Sequence, residues 1–124
     1  MLAATCAEAA PFELALGGFG GFPHLSRARV LWVGVEGDRD RLIAIEARMR
    51  EGLAGIGLAV EDRPYAPHIT LAREPERSPL LAELGDRIVV SPLRWRAVEV
   101  VLFQSELRPE GAVHTVLGRY PLGD

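Results

Sequence analysis

A single cysteine, Cys6, stands in 124 residues, which excludes an intrachain disulfide and a zinc site built on several cysteines. One free thiol fits a reducing cytosol, so a cytoplasmic location is expected. No apolar run approaches the roughly 20 residues that a membrane-spanning helix needs, so no membrane partner is expected. "MLAATCAEAA" (1–10) resembles a lipoprotein leader on the surface only. It lacks a basic start and an adequate apolar stretch, and Glu8 interrupts it, so it reads as helix. The net charge of −3 gives no global positive field to grip a long nucleic acid. One local arginine can still serve a small phosphate-bearing end. Repeats, low-complexity tracts and a disordered tail are also missing. The three histidines lie far apart with no short-range metal-ligand spacing, which makes zinc a weak reading.

What is present suits one domain over residues 1–124. The 48% hydrophobic and 25% charged fractions are ordinary, and folding at this size buries roughly two thirds of the unfolded surface. The alanine-rich residues 2–10 carry no helix start signal, as if the chain began partway through a helix that Pro11 stops. "FELAL" (12–16) alternates as a strand, and "GGFGGFP" (17–23) reads as a glycine-rich turn region with two aromatic plugs. It lacks the following helix and the Lys-Ser/Thr of a phosphate-binding loop. "RVLWVGVE" (29–36) is apolar on both faces, as a covered central strand would be. Asp38 or Asp40 can cap a helix in which Leu42, Ile45, Met49 and Leu53 form one apolar stripe, ended by Gly55 or Gly57. Ser78 and Pro79 open a short helix through Leu84, closed by Gly85. "RIVV" (87–90) reads as a short strand, residues 94–107 contain a long one, and "RPEGA" turns it into a last strand at 113–120. About six strands and two or three helices make an α+β fold, antiparallel sheets with helices packed on the outer faces.

"RPYAPHITLARE" (63–74) carries the chemistry. On a strand, His68 and Thr70 share one face, with Ile69 and Leu71 on the other, buried side. An imidazole can exchange a proton near neutral pH. A hydroxyl two residues along can donate to an anionic oxygen, and Arg73 can clamp a phosphate with its planar fork. These are half of an acid–base site for phosphoryl chemistry. Spacing alone favours a structural or solvent-facing histidine.

The wider context changes that balance. "DRPYAPHITLAR" followed by "LFQSELRPEGAVHTVLGRYPL", together with "FELALGGFGGFPHLSRARVLWVGVEG", resembles the two-histidine (2H) phosphoesterases. The similarity is to their bacterial RNA 2′,3′-cyclic phosphodiesterase branch, the LigT-like 2′-5′ RNA ligase family. It implies a bilobal fold with two His-x-Thr-x motifs across a cleft and metal-free acid–base catalysis on a cyclic phosphate. "HITL" (68–71) matches the second motif, which implies that His68 and Thr70 are catalytic; Arg73 and Tyr65 stand at substrate-binding positions. The chain resembles the C-terminal two thirds of a family member, so the fold is expected to lack its N-terminal segment and the first motif.

The expected substrates are RNA ends or small nucleotides with a 2′,3′-cyclic phosphate. The product would be a 2′-phosphomonoester, and the reverse reaction would join ends through a 2′-5′ linkage. The alternative is an inactive fragment or a phosphate-binding module. Neither His24, in a loop, nor His114, beside an oppositely facing Thr115, replaces the missing histidine well. Trp32 and Trp95 could stack on a base, but tryptophans in apolar strands read first as core, and Ser105 reads as a strand hydroxyl satisfied by neighbouring backbone. An open sheet edge is expected to favour self-association.

Overall fold

A computed structural model describes residues 1–60, 62–88 and 91–123. The order is α1 (Leu2–Ala7), β1 (Phe12–Phe22), a single 3-10 turn (Leu25–Arg27), β2 (Ala28–Gly37), α2 (Arg39–Gly55), β3 (His68–Ser78), α3 (Leu80–Arg87), β4 (Arg94–Ala97), β5 (Glu99–Arg108) and β6 (Gly111–Pro121). The fold is α+β. Two sheets form among the described residues, one of four strands in the order β3-β2-β1-β4 and one hairpin of β5 and β6. The chain divides into two compact units.

The unit of Glu13–Ile43 and Arg63–Trp95 holds the candidate site. Its central strand, β2, pairs antiparallel with β1 on one side and β3 on the other. Leu31, Val33 and Val35 are buried on one face of β2, as the period of two requires. Leu31 packs with Ala28 and Leu81, and Phe19 and Ala72 close around them. Leu81 comes from α3, which lies on this face. Leu31 and Leu81 are each at most 2% exposed, and burying one such side chain is worth roughly 1.5–3 kcal/mol.

In the unit of Met1–Phe12, Ala44–Asp62 and Arg96–Asp124, α1 lies against the end of the chain. Gly123 N–H donates to the carbonyls of Ala9 at 2.8 Å and Cys6 at 3.2 Å, and Cys6 is fully buried. Glu8 pairs with Arg48, and Glu99 with Arg119 at 2.6 Å. Along α2, Leu42, Met49 and Leu53 are partly buried and Ile45 fully, so the predicted stripe is the inward one. Gly57 ends the helix as a left-handed cap at φ +91°. Its N–H donates to Ala54 O, and Leu58 N–H reaches back to Leu53 O, a pairing that satisfies the last carbonyls.

Several expectations are corrected. "GGFGGFP" is not a turn: β1 runs on through it to Phe22, and the Phe22–Pro23 peptide is cis. The glycines serve a close approach instead. A Cβ on Gly20 would collide with Trp32 Cζ2, so the indole lies directly over a strand residue with no side chain. Asp38 does not cap α2 with its carboxylate, which accepts the Glu13 N–H at 3.0 Å. α3 begins at Leu80, whose N–H is accepted by the Ser78 hydroxyl, and it passes through Gly85 to Arg87, because Gly85 faces Leu31 and packs there. Of "RIVV", Arg87 ends that helix and residues 89 and 90 lie outside the described residues. The long strand expected within residues 94–107 is present as β5, and the short β4 precedes it in the other sheet.

Substituting Gly20 by alanine should therefore overpack the sheet surface and lower stability by about 1–3 kcal/mol. Gly18→Ala, where an added Cβ meets nothing within 4 Å, should be neutral or slightly stabilising. Urea denaturation of the two variants checks this; equal midpoints would mean that the indole does not lie over Gly20.

Candidate active site

Antiparallel partners share a sheet face, so each β3 residue takes the side of the β2 residue opposite it. His68 stands opposite Gly34, Ile69 opposite Val33 and Thr70 opposite Trp32. The register then slips: Ala72, not Leu71, faces Leu31, and Arg73 faces Val30. One extra residue on β3, Leu71, is a β-bulge. In a regular strand Arg73 would fall on the face of Ile69. The bulge reverses that. His68, Thr70 and Arg73 all stand on the face of Trp32, opposite to Leu31 and Val33, and all three are exposed.

The remainder of that face is aromatic over a nearly bare floor. Phe22 pairs with Val30 and Gly20 with Trp32, while Gly34 separates Trp32 from Glu36. The His68 ring lies 5.1 Å from Phe22 in an edge-to-face arrangement and 6.0 Å from Trp32. Phe22 and Trp32 are 5.5 Å apart. Trp32 is half-buried, and its Nε1 is buried without a hydrogen-bond partner among the described residues. The expectation that Trp32 is core is corrected: its strand is central, but its ring is on the His68 face.

The local chain fixes the imidazole. Ala66 precedes Pro67, a position held out of the helical region by the proline ring. Pro67 is buried, and its carbonyl accepts the Val35 N–H at 3.2 Å, tying the start of β3 to β2. The next carbonyl back, Ala66 O, lies 2.6 Å from His68 Nδ1. A carbonyl only accepts, so Nδ1 carries the hydrogen. In the neutral ring Nε2 then keeps its lone pair. Thr70 lies about 6.6 Å further along the strand, a span that a tetrahedral anion can bridge.

Other expectations need correcting. Ile69 and Leu71 are not buried but 43% and 46% exposed. β3 is an edge strand, the core is centred on β2, and the bulge turns Leu71 out of register while Ala72 takes the inner position. Residues 63–67 are not strand. Tyr65 lies in that irregular segment and is exposed. His24 hydrogen-bonds Ser26 across a turn at 2.9 Å. In the other unit Ser105 is not satisfied by backbone: its hydroxyl lies 2.8 Å from Nδ1 of His114, its cross-strand partner. Cys6 is no reactive thiol, since burial raises its pKa above the ordinary value. Phe22, Gly20 and Glu36 belong to this face without having been expected there. Gly20, a glycine inside a strand, is the readable signal of a close approach, since a Cβ there would collide with Trp32.

A histidine, a threonine and an arginine thus share one exposed face of an antiparallel sheet. The 2′-5′ RNA ligase superfamily matches residues 1–108, and the chain belongs to that family. It is 30% identical to an RNA 2′,3′-cyclic phosphodiesterase of Geobacillus stearothermophilus, over 98% of this chain and 38% of that protein. Against the enzyme of the same name from Aeropyrum pernix it is 34% identical, over 86% of this chain and 62% of that one. The fold is similar to a crystal structure of a Thermus thermophilus protein, with TM-score 0.74, 32% identity, 99% of this chain and 68% of that one. It is similar also to E. coli LigT complexed with 3′-AMP, with TM-score 0.70, 25% identity, and 99% and 67% of the two chains. The chain thus spans between 38% and 62% of these two phosphodiesterases. No helix among the described residues is long and apolar enough to cross a membrane.

The anchored ring makes a direct prediction. Nitrogen-15 NMR of the neutral protein should show His68 with its proton on Nδ1. A ring protonated on Nε2 instead would mean that the Ala66 contact does not form in solution.

Proposed function

We propose that the chain acts on the 2′,3′-cyclic phosphate of RNA ends or small nucleotides and opens it to a 2′-phosphomonoester. With the 5′-hydroxyl of a second end in place of water, the same ring opening joins the two ends through a 2′-5′ linkage. The observation that carries this reading is the bulge at Leu71, which sets Arg73 on the face of His68 and Thr70. The names of the relatives agree with it: two are RNA 2′,3′-cyclic phosphodiesterases, and one solved neighbour holds 3′-AMP.

In this reading the Thr70 hydroxyl and the Arg73 guanidinium hold the non-bridging oxygens. Water adds to phosphorus while the bond to the ribose 3′-oxygen breaks on the far side, and a proton travels from water to that oxygen. Attack and departure are roughly in line, so two groups handle the proton. His68 is one of them through Nε2. Tyr65 is assigned to substrate contact on the family pattern. The reaction takes place in the cytoplasm in this reading, as suits a lone buried thiol. Residues 1–124 act as one domain, and copies self-associate through the β3 edge, where Ile69 and Leu71 are exposed. Sedimentation at micromolar concentration should then show dimers; a clean monomer would remove that part.

Among the described residues of its unit, His68 is the imidazole on this face. Hydrolysis by the 124-residue chain should accordingly be slow, about 10²–10⁴-fold below an enzyme with both groups. His68→Ala should abolish what remains, while His24→Ala and His114→Ala should not. Arg73→Ala should weaken binding of adenosine 2′-monophosphate roughly ten- to hundredfold, the cost of a charge-assisted hydrogen bond. Cyclic-phosphate turnover indifferent to His68 would overturn the mechanism. A rate lost equally with His24 or His114 would overturn its assignment to His68 alone.

A further inference from the structure

Beside the phosphate-holding face lies a surface that the reaction itself does not use. The Trp32 indole lies over Gly20 with its six-membered ring, and Gly34 Cα carries no side chain beside it: a Cβ there would meet Trp32 Cζ3 at 3.6 Å. Phe22 and His68 flank the indole at 5.5 and 6.0 Å. One face of the ring is therefore taken by the sheet, and two tilted rings lie beside it. The residue as a whole is nonetheless only half-buried. An indole serving as core would be covered on both faces and would find a partner for its N–H, and this one has none among the described residues.

We propose that Trp32, with Phe22 tilted beside it, is the platform on which the base of the terminal nucleoside stacks, and that this chain therefore prefers purine to pyrimidine ends. This rests on the reading of His68, Thr70 and Arg73 as the phosphate site. Trp32 stands directly opposite Thr70 in the β2–β3 register, so phosphate and base subsites are neighbours on one face. A nucleoside that lodges its phosphate against Thr70 brings its base over the indole within the width of a ribose. Stacking on an aromatic side chain contributes about 1–3 kcal/mol per base and grows with ring overlap, which favours the bicyclic purines. Phe22 widens the apolar area without adding a hydrogen-bonding group, so selection is by ring size rather than by base-edge pattern.

The test uses the Trp95→Phe variant of the 124-residue chain, in which Trp32 is the one remaining indole. Adenosine 2′-monophosphate, uridine 2′-monophosphate and inorganic phosphate are titrated while indole fluorescence is followed, with calorimetry in parallel. Adenosine 2′-monophosphate should quench Trp32 and bind about three- to tenfold more tightly than the uridine compound. Inorganic phosphate should bind without stacking. Trp32→Leu should erase the purine preference and leave the affinity for inorganic phosphate unchanged; Trp32→Phe should keep the preference. Equal binding of the two nucleotides, with inorganic phosphate still held, overturns the platform and leaves the phosphate site standing. Purine-selective quenching that survives Arg73→Ala, without any phosphate binding, upholds the platform and removes the phosphate reading. No quenching by either nucleotide overturns the proposal. If Trp32→Leu fails to fold, the ratio of the two nucleotides on the Trp95→Phe variant still decides.

Discussion

Between Trp32 and Leu31 the β2–β3 ladder takes up one more residue on β3 than on β2. The site depends on that misfit. Side chains on a strand alternate, so a two-residue gap between Thr70 and Arg73 would send them to opposite faces. The bulge absorbs Leu71 and returns the guanidinium to the hydroxyl and the imidazole. It also lets Ala72 rather than Leu71 pack toward Leu31, which explains why a leucine on this strand is left in solvent. Local disruption of pairing at an edge strand is a modest cost for the relocation of a charge.

The second constraint is the lack of side chains under the indole. Glycine weakens a strand, and β1 carries four of them between Gly17 and Gly21. At Gly20 the reason is steric, since any Cβ would occupy the space of Trp32. The sheet gives up local stiffness to place a large flat ring beside His68. The anchoring of His68 works in the opposite direction. A proline, a backbone carbonyl and a ladder bond together leave the ring little freedom.

Much of this is legible from residue order. The apolar stripe of α2, the central position of β2 and the shared face of His68 and Thr70 all follow from simple periodicities, and the resemblance of "HITL" to a family motif names the chemistry. The bulge is not legible, because one extra residue leaves no mark in composition and the alternation of "HITLAR" reads as unbroken. Reading "GGFGGFP" as a turn fails because glycine is ambiguous: it permits turns, but it also permits close approach, and only the indole across the ladder decides. Trp32 reads as core because a central strand suggests burial, yet one face of such a strand can border a site. Splitting residues 94–107 between two sheets needs long-range pairing that no local pattern encodes.

Cys6 gives the molecule a built-in clock. Its side chain is wholly enclosed, while its carbonyl receives the Gly123 N–H from the far end of the chain. A thiol so enclosed meets an alkylating reagent or peroxide only when the packing around the first helix opens. The modification rate of this one sulfur therefore measures how often its own unit opens around the first helix.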